Sequence, residues 1–411
     1  MECADFERLA ATRDAPFYVY DWDAVAERVG WLRAAFENFR ILYSMKCNPC
    51  EALCRKLAQQ GLGVDAASAT EVLRARDLGL PRDMILYSAP GKSAADLVTA
   101  LPFCTIIADS YGELQELDDL CAARGVTSTV GLRVSPDMAY GPGPLPDILP
   151  GRPDKFGEDE ESLGCHAVFL RGLPHLRIAG IHVYMRSQVL DAAALCAGFR
   201  RVVEVAAFWR RELGLPLDFV NVGGGLGIPC AASQRPVDLE TLCAGAAGLV
   251  RELRRHIAEP VRLYMESGRF LVGEAGFFVT RIRDIKKSRG TTFVFAPGLF
   301  NHFFRASFAG LMADLPLPVT YAGPLEPLWS GPGLLKPRIC GAAAPERVVT
   351  LCGTLCTAQD IALRDVRLKN IVKGNVLVFP HAGAYAASLS PHGFGGHPPV
   401  GELLWHGAAV G

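Results

Sequence analysis

The chain has 411 residues, half of them hydrophobic and 21% charged, with a formal net charge of −1. That length exceeds what one core usually fills, so two domains are expected, and the near-neutral balance argues against nucleic acid or an anionic membrane as partner. No apolar run approaches the ~18 residues of a membrane span, and the N-terminus lacks the basic-then-apolar order of a secretory signal. The 13 cysteines are odd in number, mostly sit in apolar segments, and do not recur as paired Cys-x-x-Cys sites at zinc spacing. Reduced thiols, no metal site and a cytoplasmic location are the expectation.

In chain order, Phe17-Tyr18-Val19-Tyr20 reads as a short strand, and 23–39 as an amphipathic helix with Val25, Val29, Leu32 and Phe36 on one face. A strand-then-helix rhythm follows. The predicted strands are 41–46, 63–67, 84–88, 104–109, 129–135, 178–184, 219–223 and 262–266. Helical patterns at 70–78, 94–101, 111–124, 192–213 and 239–256 lie between them. Continuous apolar strands alternating with helices imply parallel strands covered on both faces, and eight such units predict a closed (β/α)8 barrel of the α/β class. The proline- and glycine-rich stretch 136–157 breaks the rhythm as a long loop of the kind that often carries function. Beyond about residue 278 the helical period is lost and strand-like runs separated by Gly and Pro predict a second, mainly β domain. The expected division is 1–30 as a segment joining the β domain, 31–278 as the barrel, and 279–411 as the β domain.

Chemistry in such barrels gathers at the carboxyl ends of the strands. Those ends read Lys46, Asp65, Ser88, Asp109, Arg133, His182, Gly223-Gly224-Gly225 and Glu266. Singly, each has a plainer explanation: a surface lysine, helix caps, a turn, a rim ion pair. Together they make a set. Lys46 follows a buried strand, where desolvation lowers the pKa and frees the amine for a Schiff base. The glycines let backbone N–H groups approach a phosphate. In Glu266-Ser267-Gly268-Arg269, the carboxylate can pair with a pyridinium nitrogen and the guanidinium can reach a phosphate. One ligand uses all three, pyridoxal 5′-phosphate.

Several motifs carry a family resemblance. Tyr43-Ser44-Met45-Lys46-Cys47-Asn48 resembles the cofactor-lysine motif of the alanine-racemase-like (fold-type III) pyridoxal-phosphate enzymes, specifically the diaminopimelate/ornithine decarboxylases. Val64-Asp65-Ala66-Ala67-Ser68-Ala69-Thr70-Glu71 is similar to their second-strand motif, and His182 with Ser187-Gln188 to their His-x-Gly-Ser-Gln segment. Gly353-Thr354-Leu355-Cys356 resembles their Gly-Pro-x-Cys motif, and Gly383-Ala384-Tyr385 their Gly-Ala-Tyr segment. The resemblance implies that His182 stacks on the cofactor ring and that Ser187 and Tyr385 hold its phosphate, with Asp65, Gly268 and Arg269 also at the cofactor. It implies a homodimer in which Cys356 reaches the partner's site and protonates the product carbon, with Asp360 and Tyr385 towards the substrate; Arg186, which the pattern does not carry, is expected on the substrate side as well.

Departures from the pattern bear on the substrate. Diaminopimelate decarboxylases carry an acidic residue after the motif cysteine, where this chain has Thr357. Their Arg-Pro-x-x-Tyr stretch is replaced by Ala296-Pro297-Gly298-Leu299-Phe300-Asn301-His302, while Arg186 and Arg305 are new. The closing Ser390-Pro391-His392-Gly393-Phe394 looks like the branch acting on conjugated or carrier-bound amino acids in siderophore and other secondary metabolism. The expected activity is α-decarboxylation of such a substrate, with diaminopimelate decarboxylase and an amino-acid racemase as alternatives.

Overall fold

The computed structural model describes residues 1–137, 155–184, 186–230, 234–307 and 336–407, and the backbone of 409 and 410. Most of the predicted loop 136–157 therefore lies outside the described residues. The chain opens with α1 (Cys3–Thr12), β1 (Phe17–Asp21) and α2 (Trp22–Ala35). Then come β2 (Phe39–Ser44), α3 (Glu51–Gln59), β3 (Gly63–Ala66), α4 (Ala69–Asp77), β4 (Ile85–Tyr87), α5 (Ala94–Ala100), β5 (Thr105–Ala108), α6 (Tyr111–Arg124) and β6 (Ser128–Ser135). The alternation resumes with β7 (Glu158–Asp159), α7 (Ala167–Arg171), β8 (Leu176–Val183), α8 (Ala192–Arg211), β9 (Phe219–Asn221), α9 (Leu239–His256), β10 (Arg262–Ser267) and α10 (Arg269–Val272).

Side chains just past the strands start the helices. Ser68 and Ser110 accept from the N–H groups of Glu71 and Glu113, and Asp191 and Asp238 cap α8 and α9 in the same way. Strands β5-β4-β3-β2-β10-β9-β8-β6 lie side by side in parallel, and β5 pairs again with β6, which closes the eight-stranded barrel. Each of the eight predicted strands overlaps one of these. Inside, the Phe219 ring fills the space beside Gly131 and Gly180, where any Cβ would lie within 3 Å of it. Leu42, Leu86, Ile107 and Tyr264 pack around that ring, so the barrel is a filled core with its strand ends open above.

The remaining strands are β11 (Gly276–Arg281), β12 (Asp284–Ser288), β13 (Thr291–Phe295), β14 (Arg338–Cys340), β15 (Arg347–Cys352), β16 (Ile361–Leu368), β17 (Val376–Phe379), β18 (Gly401–His406) and β19 (Ala409–Val410). One sheet runs β14-β17-β11-β1-β18-β19 and the other β12-β13-β15-β16. β1 sits between β11, antiparallel, and β18, parallel. Buried Phe6, Leu9 and Ala10 lay α1 on the first sheet with Val279, Val378 and Trp405. Cys3 of α1 is disulfide-bonded to Cys340 of β14. That pair corrects the expectation of reduced thiols throughout; the other 11 cysteines are free. Among the described residues, no helix is long and apolar enough to cross a membrane.

Candidate active site

Strand register decides which side chains meet. Ser44 of β2 pairs with Asp65 of β3, and Leu42 with Glu266 of β10, so a lysine two residues past β2 stands between two carboxylates. Lys46 Nζ donates to Asp65 Oδ2 at 2.5 Å, and Ser88 Oγ donates to Asp65 Oδ1 at 2.7 Å. Burial by itself lowers a lysine's pKa, the direction expected from the sequence. Asp65 and Glu266 outweigh burial here and hold Lys46 well above its ordinary value. The expectation of an already freed amine is thus corrected. Without bound cofactor, Lys46 is an ammonium whose nearest base is Asp65.

Across the barrel mouth, β6, β8 and β9 bring Arg133, His182 and Asn221 to one level. Burial and the Arg133 charge push the His182 pKa well below its usual value, so its ring is neutral. His182 Nε2 lies 3.3 Å from Glu266 Oε1, yet neither ring nitrogen makes a hydrogen bond among the described residues. Burial and the Asp65 charge raise Glu266 to about 7. The Arg133 guanidinium lies 4.3 Å from the Phe156 ring centre and 5.3 Å from that of Tyr184.

The glycine turn after β9 packs on the segment after β8, with Val189 N donating to Gly225 O at 2.8 Å. Gly225 has φ +114°, and a Cβ there would lie 2.1 Å from the Arg186 carbonyl oxygen, so only glycine fits.

These strand ends enclose a cavity of about 430 Å³, within the usual range for small-molecule sites. Of the expected site residues, Lys46, His182, Ser187, Gly224, Gly225, Glu266, Gly268, Arg269 and Tyr385 line it. Asp65 stands behind Lys46, and Gly223 starts the turn. Arg186 is buried behind Gly225. Cys356 and Asp360 do not line the cavity either. Cys356 is exposed between β15 and β16. Asp360 is buried in the same loop, its Oδ2 accepting from Leu355 N at 2.9 Å. Within one chain Asp360 therefore clamps this loop instead of facing the cavity.

Arg269 is 4% exposed, and its Nε, Nη1 and Nη2 have no hydrogen-bond partner among the described residues. Its guanidinium lies 4.7 Å from the Tyr385 ring centre. A buried cation left unpaired costs several kcal/mol, and a phosphate would satisfy it. With the glycine turn, a neutral histidine, a lysine and a buried acid around one cavity, the residues fit pyridoxal phosphate. The lining also takes in Arg133, Phe156, Tyr184 and Ser267, to which the sequence reading assigns no role. Arg133 was visible as a strand end. Phe156 lies in the stretch 136–157, expected to be a loop of the kind that often carries function, but no single residue of it was picked out.

A family model described as pyridoxal-dependent decarboxylase, pyridoxal binding domain, matches residues 22–273. The chain is 30% identical over 408 residues to the L-glutamyl-[BtrI acyl-carrier protein] decarboxylase of Niallia circulans, covering 98% of this chain and 92% of that one. It is 27% identical over 390 residues to the 2-[(L-alanin-3-ylcarbamoyl)methyl]-2-hydroxybutanedioate decarboxylase of Staphylococcus aureus, covering 93% and 92%. Among solved structures, the diaminopimelate decarboxylase of Helicobacter pylori complexed with L-lysine superposes with a TM-score of 0.81 at 23% identity, covering 99% of this chain and 95% of that one.

Proposed function

Because the chain belongs to the pyridoxal-dependent decarboxylase family, it is a pyridoxal-phosphate-dependent carboxy-lyase, and we propose that it decarboxylates an amino acid presented as a conjugate or on a carrier protein. The observation that carries this reading is the near full-length similarity to the glutamyl-carrier decarboxylase, at 30% identity. Thr357 supports it, being uncharged where diaminopimelate decarboxylases bring an acid towards a distal ammonium. The stretch at 296–302 supports it too. Buried Ala296 stands where that pattern has its arginine for a distal carboxylate, and Phe300, where it has the tyrosine, packs on Phe304 and Phe394 with ring centres 5.0 and 5.5 Å away. A role in siderophore or other secondary-metabolite synthesis follows from such substrates.

Bound pyridoxal phosphate supplies an electron sink for the pair left as carbon dioxide departs. Lys46 would give the amine that attaches it, and Asp65, 2.5 Å from Nζ and, despite burial, held below its ordinary pKa by that cation, would keep Nζ in place at the cavity. Glu266 holds a proton at the ring nitrogen, and His182 covers one ring face. Arg269, Ser187, Tyr385 and the turn Gly223-Gly224-Gly225 with Gly268 bind the phosphate. Cys356 of the partner subunit in a homodimer returns a proton to the product carbon. Arg186 and Asp360 act on the substrate side by shaping loops around it.

Purified enzyme supplied in parallel with glutamyl-carrier, citryl-diaminopropionate-type conjugates, diaminopimelate and ornithine should release carbon dioxide fastest from a conjugate. Diaminopimelate turned over about tenfold faster than every conjugate would sink the proposal. Chiral inversion without carbon dioxide release would favour the racemase.

A further inference from the structure

Asn221 closes a ring of three hydrogen bonds at the floor of the cavity. Its Oδ1 accepts from Gly223 N at 2.9 Å, Gly223 O accepts from Glu266 N at 2.9 Å, and Glu266 Oε1 accepts from Asn221 Nδ2 at 2.7 Å. Asn221 is 0% exposed, so its Oδ1 and one Nδ2 hydrogen are satisfied inside the protein. Only one orientation of that amide works. Reversed, its NH2 would face an N–H donor and its oxygen a carboxylate.

We propose that Asn221 is a positioning residue that keeps Glu266 ionised and aimed at the cofactor's ring nitrogen, and couples that carboxylate to the glycine turn under the phosphate. The inference rests on the proposed role of Glu266. An N–H donor favours a carboxylate over a carboxylic acid. Glu266 needs that help, because it is buried and faces the Asp65 carboxylate from β3. Lys46 beyond β2 and Arg133 on β6 favour its charge, while His182 on β8 is neutral and adds none. With Oε1 held by Asn221, the other oxygen is left for the cavity that Glu266 lines. A carboxylate held in this way stabilises a protonated ring nitrogen, whereas a protonated Glu266 would compete with it for the same proton.

The test uses holoenzyme loaded with isotope-labelled pyridoxal phosphate, whose ring-nitrogen resonance reports protonation from about pH 6 to about pH 9. Asn221→Ala should lose the ring proton about one pH unit earlier than wild type, with roughly tenfold faster cofactor loss on dialysis. Asn221→Asp can donate to Glu266 only while its own carboxyl is protonated. It should match wild type near pH 6 and fail towards pH 9, a conditional rescue that a purely structural role would not produce, and one that decides the matter even if the alanine variant does not fold. Glu266→Gln separates the two levels. If it leaves the ring nitrogen titrating as in wild type, the reading of Glu266 fails. If it removes the ring proton while both Asn221 variants titrate as wild type, the inference about Asn221 is overturned and that reading stands.

Discussion

Glu266 is where burial and the need for charge oppose each other. Its ordinary value is 4.5, and in the folded protein without cofactor it is raised to about 7. Between those values the folded state holds a proton that the unfolded chain has lost. Its contribution is therefore full below about pH 4.5 and disappears as pH rises through about 7. Glu266→Gln, neutral at every pH, should make cofactor-free protein more stable than wild type at about pH 8, on the order of 2 kcal/mol, with the margin shrinking towards pH 5. Urea midpoints at both pH values check this, and an equal margin at both contradicts the raised value. At the same scale, sequence marked candidate residues at the strand ends but not their protonation. Lys46 was read as desolvated and therefore freed. Two carboxylates from neighbouring strands reverse that, and neither lies near it in sequence.

At the scale of elements, the turn after β9 and the segment after β8 behave as one unit. Gly225 is the point of closest approach, because a Cβ there would lie 2.1 Å from Arg186 O. Gly225→Ala should displace the turn and weaken pyridoxal phosphate binding by about tenfold or more, with the barrel still folded, since the strain falls in a loop above the packed core. Equilibrium dialysis with far-ultraviolet dichroism measures both, and unchanged affinity would show that this turn does not hold the phosphate. The strands themselves were legible, because apolar runs of strand length alternate with amphipathic helices capped by Ser and Asp. Their register was not. Ser44 beside Asp65 and Leu42 beside Glu266 follow from pairing between strands, which periodicity within a strand does not encode.

For the whole molecule, Cys356 poses the largest question. It is exposed and does not line the cavity of its own chain, so a role in protonation requires a second copy. Mixing inactive Lys46→Ala with inactive Cys356→Ala should restore activity as subunits exchange, to about a quarter of wild type at equal amounts, because half the dimers then carry one intact site. No recovery after demonstrated exchange would place the acid elsewhere, with Lys46 the first alternative. By itself, the amino-acid sequence determined the barrel class, the lysine, the triglycine turn and the terminal acid of the last barrel strand, since each is a local pattern of side chains along one segment. Only the tertiary structure decided that Lys46 is paired and protonated and that Asn221 grips Glu266 from 45 residues away. Charge state and hydrogen bonding depend on distances across strands, and those distances exist only once the barrel has closed.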